Sequence, residues 1–272
     1  MNSNKILFTL LFFFGSLSSV FAQCGIKNEA IQAGEVLNYE LKFNWKFIWV
    51  NAGWAKMTIS ETQYKGEKCF KADLLSYTNK KVDRFFKMRD TLTAITSMQI
   101  VPYYYRKAAA EGKNYYVDNV RYEYLGDGRV QIDQNRSKNH TEKKRNIEVS
   151  STCVYDMLSM LLRARSFSAE NYKVGEKISF SMATGKEIEG QTLIYRGKKN
   201  YQAENDVTYR CLVFSLVEYN KKGKEKEIIT FYVTDDKNHL PVRLDLFLNF
   251  GSAKAFLYEI KGNRHPLTSI VK

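Results

Sequence analysis

The sequence predicts a mainly β fold, in which antiparallel strands form a curved sheet, either an open barrel or a sandwich, with one central amphipathic helix. Three observations favour this class. Apolar and polar residues alternate with a period of two along many short segments, hairpin-type turns separate these segments, and an apolar repeat of helical period occurs once. Because no helical segments alternate with the strands, a βαβ arrangement is not expected.

The first half of the chain contains seven predicted strands. A Gly126-Asp127-Gly128 turn separates the last two of them. Residues 137–145, SKNHTEKKR, are the most polar stretch, and we expect them to form a solvated loop before a short strand at 146–149. The seven strands are residues 36–43, 45–60, 69–77, 90–95, 100–106, 115–124 and 130–134.

The second half is predicted to continue as an antiparallel series. Turn-forming residues at 220–223 and 235–238 and a bend at 249–252 separate its strands. The predicted strands are residues 177–182, 191–195, 209–219, 227–234, 240–250 and 253–260.

One segment between the two halves has the period of a helix. Its apolar stripe is formed by Val154, Met157, Leu158, Leu161 and Leu162. The expected N-caps are Ser150, Ser151 and Thr152, with Asp156 in the first turn and Arg163 and Arg165 in the last. We expect this helix to cover the core of a curved sheet.

The first 22 residues are typical of a secretory signal peptide. Lys5 precedes an apolar run at 6–14 that is too short to span a bilayer, and small residues lead to Ala22. Cleavage there leaves residues 23–272 as one β-rich domain, periplasmic or secreted, without a transmembrane segment. Lipidation of Cys24 is a weaker alternative, because the preceding Gln23 is not small.

All four cysteines lie in the predicted mature chain. An oxidising compartment favours disulfides between Cys24, Cys69, Cys153 and Cys211, and three pairings are open. Buried free thiols are the alternative for Cys69 and Cys211, because a chain of this length has an adequate core without bridges. The cysteines form no CxxC pair and the three histidines are scattered, so no metal site is expected.

Sequence motifs of catalysis are scarce. There is no GxSxG motif and no glycine-rich phosphate-binding or dinucleotide-binding loop, so no cofactor is expected. Paired carboxylates drawn from the 29 acidic residues leave open an envelope glycan or lipid hydrolase. The favoured alternative is a non-enzymatic envelope protein that binds an apolar or amphipathic ligand in the concave face of its sheet.

Basic and aromatic residues are interleaved at 84–90 and 103–107. The chain has a formal net charge of +13, which becomes +12 when the signal peptide, with Lys5 as its one charged residue, is removed. Export argues against nucleic acid as the partner. The simpler interpretation is strands with inward rings and outward cations, and the functional one is an anionic ligand such as a lipid head group or an acidic glycan.

The three tryptophans lie within ten positions. If residues 45–60 form one strand, Trp45, Phe47 and Trp49 share a face, which is either a thick part of the core or the wall of a pocket. The pocket hypothesis places a ligand between these rings and Arg84, Lys87 and Arg89, provided that Phe85 and Phe86 fold over them. These six residues are the candidate ligand-binding set.

The order of motifs resembles a family of exported bacterial proteins, domain of unknown function 3108, in its Bacteroidetes form. The resemblance covers almost all of the mature chain and implies secretion, a β-rich fold and no established activity or catalytic residue. The matching segments are FNWKFIWVNAG at 43–53, FFKMRD at 85–90, YYYRK at 103–107, CVYDML at 153–158, RAR at 163–165, FYVTDD at 231–236, LPVR at 240–243 and GSAKA at 251–255.

Overall fold

The computed structural model describes residues 24–45, 48–167, 172–203, 206–220, 222–248 and 251–271. The predicted signal peptide lies outside the described residues. The described strands are β1 (Val36–Trp45), β2 (Ile48–Tyr64), β3 (Glu67–Thr78), β4 (Met88–Ser97), β5 (Pro102–Glu111), β6 (Asn114–Tyr124), β7 (Val130–Lys138), β8 (Thr141–Ser150), β9 (Val154–Tyr155), β10 (Lys177–Ala183), β11 (Ile188–Gln202), β12 (Thr208–Tyr219), β13 (Glu225–Thr234), β14 (Pro241–Leu248), β15 (Gly251–Lys261) and β16 (Ile270–Val271). The described helices are α1 (Lys80–Asp83) and α2 (Met157–Ala164).

The described strands form one sheet. Their order is β8-β7-β6-β5-β4-β3-β2-β1-β15-β14-β13-β12-β11-β10-β9, and β16 pairs with the start of β12. All neighbours are antiparallel except β9 and β10. The sheet therefore consists of two meanders, one on each side of α2 in the sequence, that are joined where β1 pairs with β15. The predicted mainly β, antiparallel fold is confirmed.

The two edges of the sheet, β8 and β9, approach each other, so the sheet is nearly closed into a barrel-like shape. Side chains of the β7–β8 hairpin reach the connection between β10 and β11. The Gly185 amide donates to Gln134 Oε1 at 3.0 Å, and the Ile188 amide donates to Glu148 Oε1 at 3.2 Å. Because side chains rather than a backbone ladder provide these hydrogen bonds, the contact leaves an open seam in the barrel.

Two sequence predictions about strands are wrong. Residues 45–60 are not one strand: β1 ends at Trp45 and β2 begins at Ile48, and the register pairs these two residues. Residues 137–145 are not a loop, because β7 extends to Lys138 and β8 starts at Thr141. The polar segment forms a strand because it lies at the sheet edge, where its side chains are mostly exposed.

Helix α2 lies where the sequence predicted a helix, but its cap differs. Val154 and Tyr155 are paired with β10 as β9, so the helix starts later and Asp156 is its N-cap. Asp156 Oδ1 accepts from the Ser159 amide at 2.9 Å, and its Oδ2 accepts from Ser159 Oγ at 2.6 Å. The expected N-caps Ser150, Ser151 and Thr152 are therefore wrong, since they precede β9.

The core-covering role of α2 is confirmed. Leu162 belongs to the buried cluster formed mainly by β1, β2, β3 and β15, and Leu158 belongs to the cluster formed by β4 to β7. Arg165, the C-cap, is buried and forms an ion pair with Glu35, with nitrogen–oxygen distances of 2.5 and 2.8 Å. Its Nε also donates to the Asn238 carbonyl oxygen at 3.1 Å. The helix thus links the segments that precede β1 and β14.

The sequence left three cysteine pairings open. The structure contains one disulfide, between Cys24 and Cys153. The bond joins the start of the described chain to the segment just before β9, 129 positions away. Cys69 and Cys211 are free thiols, both fully buried in the sheet. Burial raises the pKa of Cys69, and it raises the pKa of Cys211 to about 12. The expectation of buried free thiols is therefore confirmed for these two residues.

Candidate functional site on the inner face of the sheet

Helix α2 packs against one face of the sheet, which we call the inner face. The helix lies at the end of the barrel where Arg165 meets Glu35 and Asn238, and we call this end the plugged end. The other end, which we call the hairpin rim, contains the connections between β1 and β2, β3 and β4, β5 and β6, β7 and β8, β10 and β11, β12 and β13, and β14 and β15. The inner face between α2 and this rim is the candidate functional site.

Strands β12 to β15 and β1 line one side of this site with apolar residues. The register aligns two rows of directly paired side chains across the five strands, and we call these rows the apolar strip. Most of the large side chains are only half-buried, which is unusual for a continuous apolar surface. The rows are Leu216, Ile229, Leu246, Ala253 and Phe43, and Phe214, Phe231, Leu244, Ala255 and Leu41.

Strands β4 to β7 line the other side with charged residues, which we call the charged strip. Lys107 pairs directly with Asp118, which in turn pairs with Arg136. Asp118 is buried and accepts two hydrogen bonds from the Arg136 guanidinium. Lys107 is half-buried beside Leu92, and Lys138 lies one row nearer the rim. The charged strip therefore carries three cations close to apolar side chains.

Asp90 is the unusual group of the charged strip. Its Oδ1 atom is buried and has no hydrogen-bond partner among the described residues. Burial, helped by the nearby Glu111 carboxylate, raises the pKa of Asp90 to about 6, and the Lys107 ammonium opposes this shift. Asp90 is therefore mainly a carboxylate at neutral pH, and the strip becomes more positive as the pH falls through about 6.

A glycine shapes the boundary of the charged strip. Gly185, in the connection between β10 and β11, has φ +86° and lies directly over Asp118. A Cβ atom at this position would lie 2.5 Å from Asp118 Cβ. Only glycine fits both the left-handed backbone and the close approach. This contact places the β10–β11 hairpin against the Asp118–Arg136 pair.

The predicted ring set does not share one face of a strand. Phe47 and the side chain of Trp45 lie outside the described residues. Trp49 pairs with Asn44 and Trp45 pairs with Ile48, so Trp45 and Trp49 hold register positions on opposite faces. Trp49 lies on the outer face with Lys254 Nζ 4.3 Å from its ring centroid. The expected shared face is wrong because the chain turns between β1 and β2.

The three predicted cations lie in or beside the connection between β3 and β4. Arg89 donates to both carboxylate oxygens of Asp83, at 3.0 and 2.6 Å, and holds the pKa of Asp83 below its usual range. Arg89 therefore stabilises the connection itself. Arg84 and Lys87 are exposed at the hairpin rim. Asn79, at the start of this connection, donates from its backbone amide to the Ala52 carbonyl oxygen at 2.9 Å, so the connection begins beside β2.

Phe85 and Phe86 do not cover a ligand pocket as the hypothesis required. Phe85 is 77% exposed and Phe86 is 46% exposed. A surface cavity of about 690 Å³ lies instead at the plugged end. Ile26, Phe70 and Arg264 line it, and Arg264 is engaged by the Asn28 carbonyl oxygen at 3.0 Å. This cavity is remote from the predicted ligand-binding residues.

The titratable groups give little support to hydrolysis by paired carboxylates. Apart from Asp90, Asp156 has a pKa raised to about 6, and burial is the main cause. Both oxygens of Asp156 are engaged by Ser159 as part of the helix cap. Among the described residues, no three His, Cys, Asp or Glu side chains form a group that would hold a metal ion.

The two strips were not found from the sequence. Leu41 and Phe43 lie two positions apart in β1, so period-two alternation puts them on one face. The alignment of these residues with Leu244 and Leu246, 203 positions later, depends on the register between β14, β15 and β1. The inward charges Lys107, Asp118 and Arg136 likewise become a group only through the register of β5, β6 and β7.

The fold and the site together define a class: a barrel-like antiparallel β protein, plugged at one end, with an amphipathic inner face. The chain belongs to a family described as protein of unknown function, DUF3108, whose family model matches residues 38–258. The match covers every residue of the apolar and charged strips. Comparison with curated proteins finds no relative of the chain.

Two solved structures are similar to this chain. A β-barrel-like protein of domain of unknown function DUF1849 from Brucella abortus has a TM-score of 0.53 and 8% sequence identity, over 84% of this chain and 96% of that one. A protein with a YmcC-like fold from Bacteroides fragilis has a TM-score of 0.35 and 8% identity, over 88% of this chain and all of the other. The first similarity supports the barrel-like fold alone.

Neither described helix has the length and apolar character that crossing a bilayer requires. The Cys24–Cys153 disulfide is typical of a protein of an oxidising, extracytoplasmic compartment.

Proposed function

We propose that this protein is an exported, non-enzymatic binding protein that holds an amphipathic ligand on the inner face of its sheet. The ligand has an apolar chain and an anionic head group, as lipids of the cell envelope do. The observation that carries this proposal is the half-buried apolar strip, which shares its face with the cations of the charged strip. An apolar chain would remove the strip from water, at about 25 cal/mol per Å² of apolar surface.

The composition of the inner face favours a lipid over a glycan. A glycan needs many hydroxyl-bonding groups, whereas the side chains from Phe231 across to Phe43 are apolar in both rows. Lys107 and Lys138 lie on the same face and would neutralise a carboxylate or phosphate head group. Arg136 is already paired with Asp118, so Lys107 is the main candidate for direct contact with the ligand.

Export is part of the proposal. It includes cleavage after Ala22 and a periplasmic or secreted mature chain that begins with Gln23. The Cys24–Cys153 disulfide supports this form. Lipidation would attach a lipid to the Cys24 sulfur, and a sulfur in a disulfide cannot carry that lipid. Intact mass measurement of the protein from the periplasm or culture medium is expected to give residues 23–272 with one disulfide. A thioether-linked lipid on Cys24 would contradict the proposal.

The binding test uses delipidated mature protein and oleic acid below its aggregation concentration, with oleyl alcohol as the uncharged comparison. Leu246→Gln, in the apolar strip, should weaken binding of both molecules. Lys107→Gln should weaken binding of oleic acid about tenfold and leave oleyl alcohol unaffected, because the charge-assisted contact is lost. Isothermal titration or competition with a fluorescent fatty acid would measure both effects.

Each matched control changes the next residue along the same strand, whose side chain lies on the outer face. Phe247→Gln is adjacent to Leu246 on the outer face, and Arg106→Gln is adjacent to Lys107. Both controls should bind oleic acid as the parent does. No saturable binding of either molecule, or equal losses in the variants and their controls, would overturn the proposed function.

A further inference from the structure

The outer face near the hairpin rim carries an exposed aromatic surface next to cations. Its aromatic side chains are 37–77% exposed and include Trp54 at 37%, Trp49 at 40%, Tyr77 at 43% and Phe85 at 77%. We call these residues, together with Phe86, Phe247, Lys80, Lys81, Arg84, Lys87 and Lys254, the rim belt. A contiguous exposed apolar surface on a protein is typical of an interaction site.

Strand register shows that the rim belt is continuous. Phe247 pairs with Ser252, Ser252 pairs with Asn44, and Asn44 pairs with Trp49, all on the outer face. Trp54 pairs with Glu40, which lies four residues from Asn44 along β1 and further from the rim. On its other side Trp54 pairs with Tyr77, and their ring centroids are 5.8 Å apart. The extra residue in β2 between Asn51 and Gly53 keeps both tryptophans on this face.

The charges of the rim belt are predominantly positive. Residues 79–87, NKKVDRFFK, contain four cations and one acid, Asp83, which is paired with Arg89. On the neighbouring strands, Asp245 is paired with Arg243 at 2.7 Å. Lys80, Lys81, Arg84 and Lys87 therefore present net positive charge beside exposed rings. This combination is complementary to an anionic lipid surface.

We propose that the rim belt docks the protein on the surface of an anionic lipid bilayer, with the hairpin rim facing the head groups. Aromatic rings enter the interface while the lysine and arginine side chains contact lipid phosphates. Docking would bring the inner face toward the bilayer from which an amphipathic ligand comes. The inference goes beyond the proposed ligand binding, because it depends on the outer face and does not require an occupied inner face.

The test is flotation of mature protein with vesicles of phosphatidylcholine containing 30% phosphatidylglycerol, compared with phosphatidylcholine alone. The parent protein should float with the anionic vesicles at low salt and dissociate as salt increases. Lys81→Gln/Arg84→Gln/Lys87→Gln should lower the partition coefficient about a hundredfold, which is about fivefold per cation. Phe85→Ala/Phe86→Ala should also lower it, and the residual binding should remain dependent on salt.

The matched control removes three cations at the opposite end of the barrel. Lys27→Gln/Lys65→Gln/Lys68→Gln gives the same net charge, and all three residues are exposed. It should float like the parent. Equal losses in the two triple variants, or no flotation of the parent with anionic vesicles, would overturn the docking proposal.

The docking proposal and the ligand-binding proposal can be overturned independently of each other. The rim-belt triple variant should still bind monomeric oleic acid, and Leu246→Gln should still float with vesicles. Unchanged thermal unfolding of each variant confirms that folding is retained. A glycan is the alternative partner of the rim belt. If the parent floats equally well with and without phosphatidylglycerol, and an acidic polysaccharide abolishes this flotation, the rim belt binds a glycan and the bilayer proposal is overturned.

Discussion

The plugged end and the hairpin rim of this barrel are built from opposite kinds of contact. At the plugged end, Arg165 and Glu35 are buried as an ion pair and a disulfide joins Cys24 to Cys153. At the rim, Phe85 and Trp49 are exposed. From this difference we expect the plugged end to contribute most to stability and the rim to carry the binding proposed above. Substitutions at the two ends should therefore separate unfolding from binding.

The largest effect is expected from removing the disulfide. Cys24→Ser/Cys153→Ser should lower the free energy of unfolding by about 4–5 kcal/mol, because the bond closes a loop of 129 positions in the unfolded chain. Urea unfolding of the mature protein measures this loss. Cys69→Ser, at a buried free thiol, is the comparison for a cysteine change without a crosslink. A loss below about 1 kcal/mol in the double variant would contradict the expected role of the plugged end.

Breaking the buried ion pair should have the next effect. Arg165→Met leaves the Glu35 carboxylate buried without its partner, and this should cost about 3–5 kcal/mol. Adding Glu35→Gln should recover part of the loss, since it removes the unpaired charge. Urea unfolding of the single and double variants gives the comparison. A double variant no more stable than the single one would show that the loss comes from packing rather than charge.

The helix cap should make stability depend on pH. Burial raises the pKa of Asp156 in the folded protein to about 6, so the folded state holds this proton more tightly than the unfolded state. The free energy of unfolding should therefore fall by roughly 2–3 kcal/mol as pH rises from about 4 to 6. Asp156→Asn, which keeps an acceptor for the Ser159 amide, should remove this contribution, and the separate contribution of Asp90, whose pKa is also raised to about 6, should remain. Asp127→Asn, at an exposed turn, should leave it unchanged.

The smallest effect on stability is expected at the rim. Phe85→Ser should change the free energy of unfolding by less than about 0.5 kcal/mol, because the side chain is already 77% exposed. The same variant should bind anionic vesicles less tightly. Chemical denaturation and flotation on one preparation test both statements. A loss of more than about 1 kcal/mol would show that the rim contributes to the core and would remove the contrast between the two ends.

Local patterns predicted much of the sheet. Alternation located β3, β6 and β12 closely, and the helical repeat located α2. The turn between Trp45 and Ile48 was missed because no Gly, Asn or Asp marks it, and large apolar residues continue on both sides. The N-cap was misplaced because pairing of Val154 with β10 overrides the local preference for a helix.

The site was less predictable for a different physical reason. Trp49 was selected from a cluster of rings with period-two spacing and Arg84 from a segment that interleaves cations and rings. The structure places both near the same rim. Leu41 and Leu244 both pair with Ala255, one from each side, and therefore lie in one row on the same face. A single sequence contains the period of each strand but not the register between distant strands. For the same reason, nothing local relates Glu35 to Arg165, 130 positions apart.

The disulfide connects cysteines that are not consecutive in the chain. If the chain is exported from its N-terminus, Cys24 crosses first, Cys69 follows, and Cys153 arrives 84 residues after Cys69. The first thiol available to Cys24 is therefore the wrong one. Pairing of β3 with β2 and β4 encloses Cys69 and withdraws its thiol from oxidation. Correct oxidation thus depends on the order of events during export: either β3 is enclosed before an oxidant arrives, or a mispaired bond must be reopened by an isomerase.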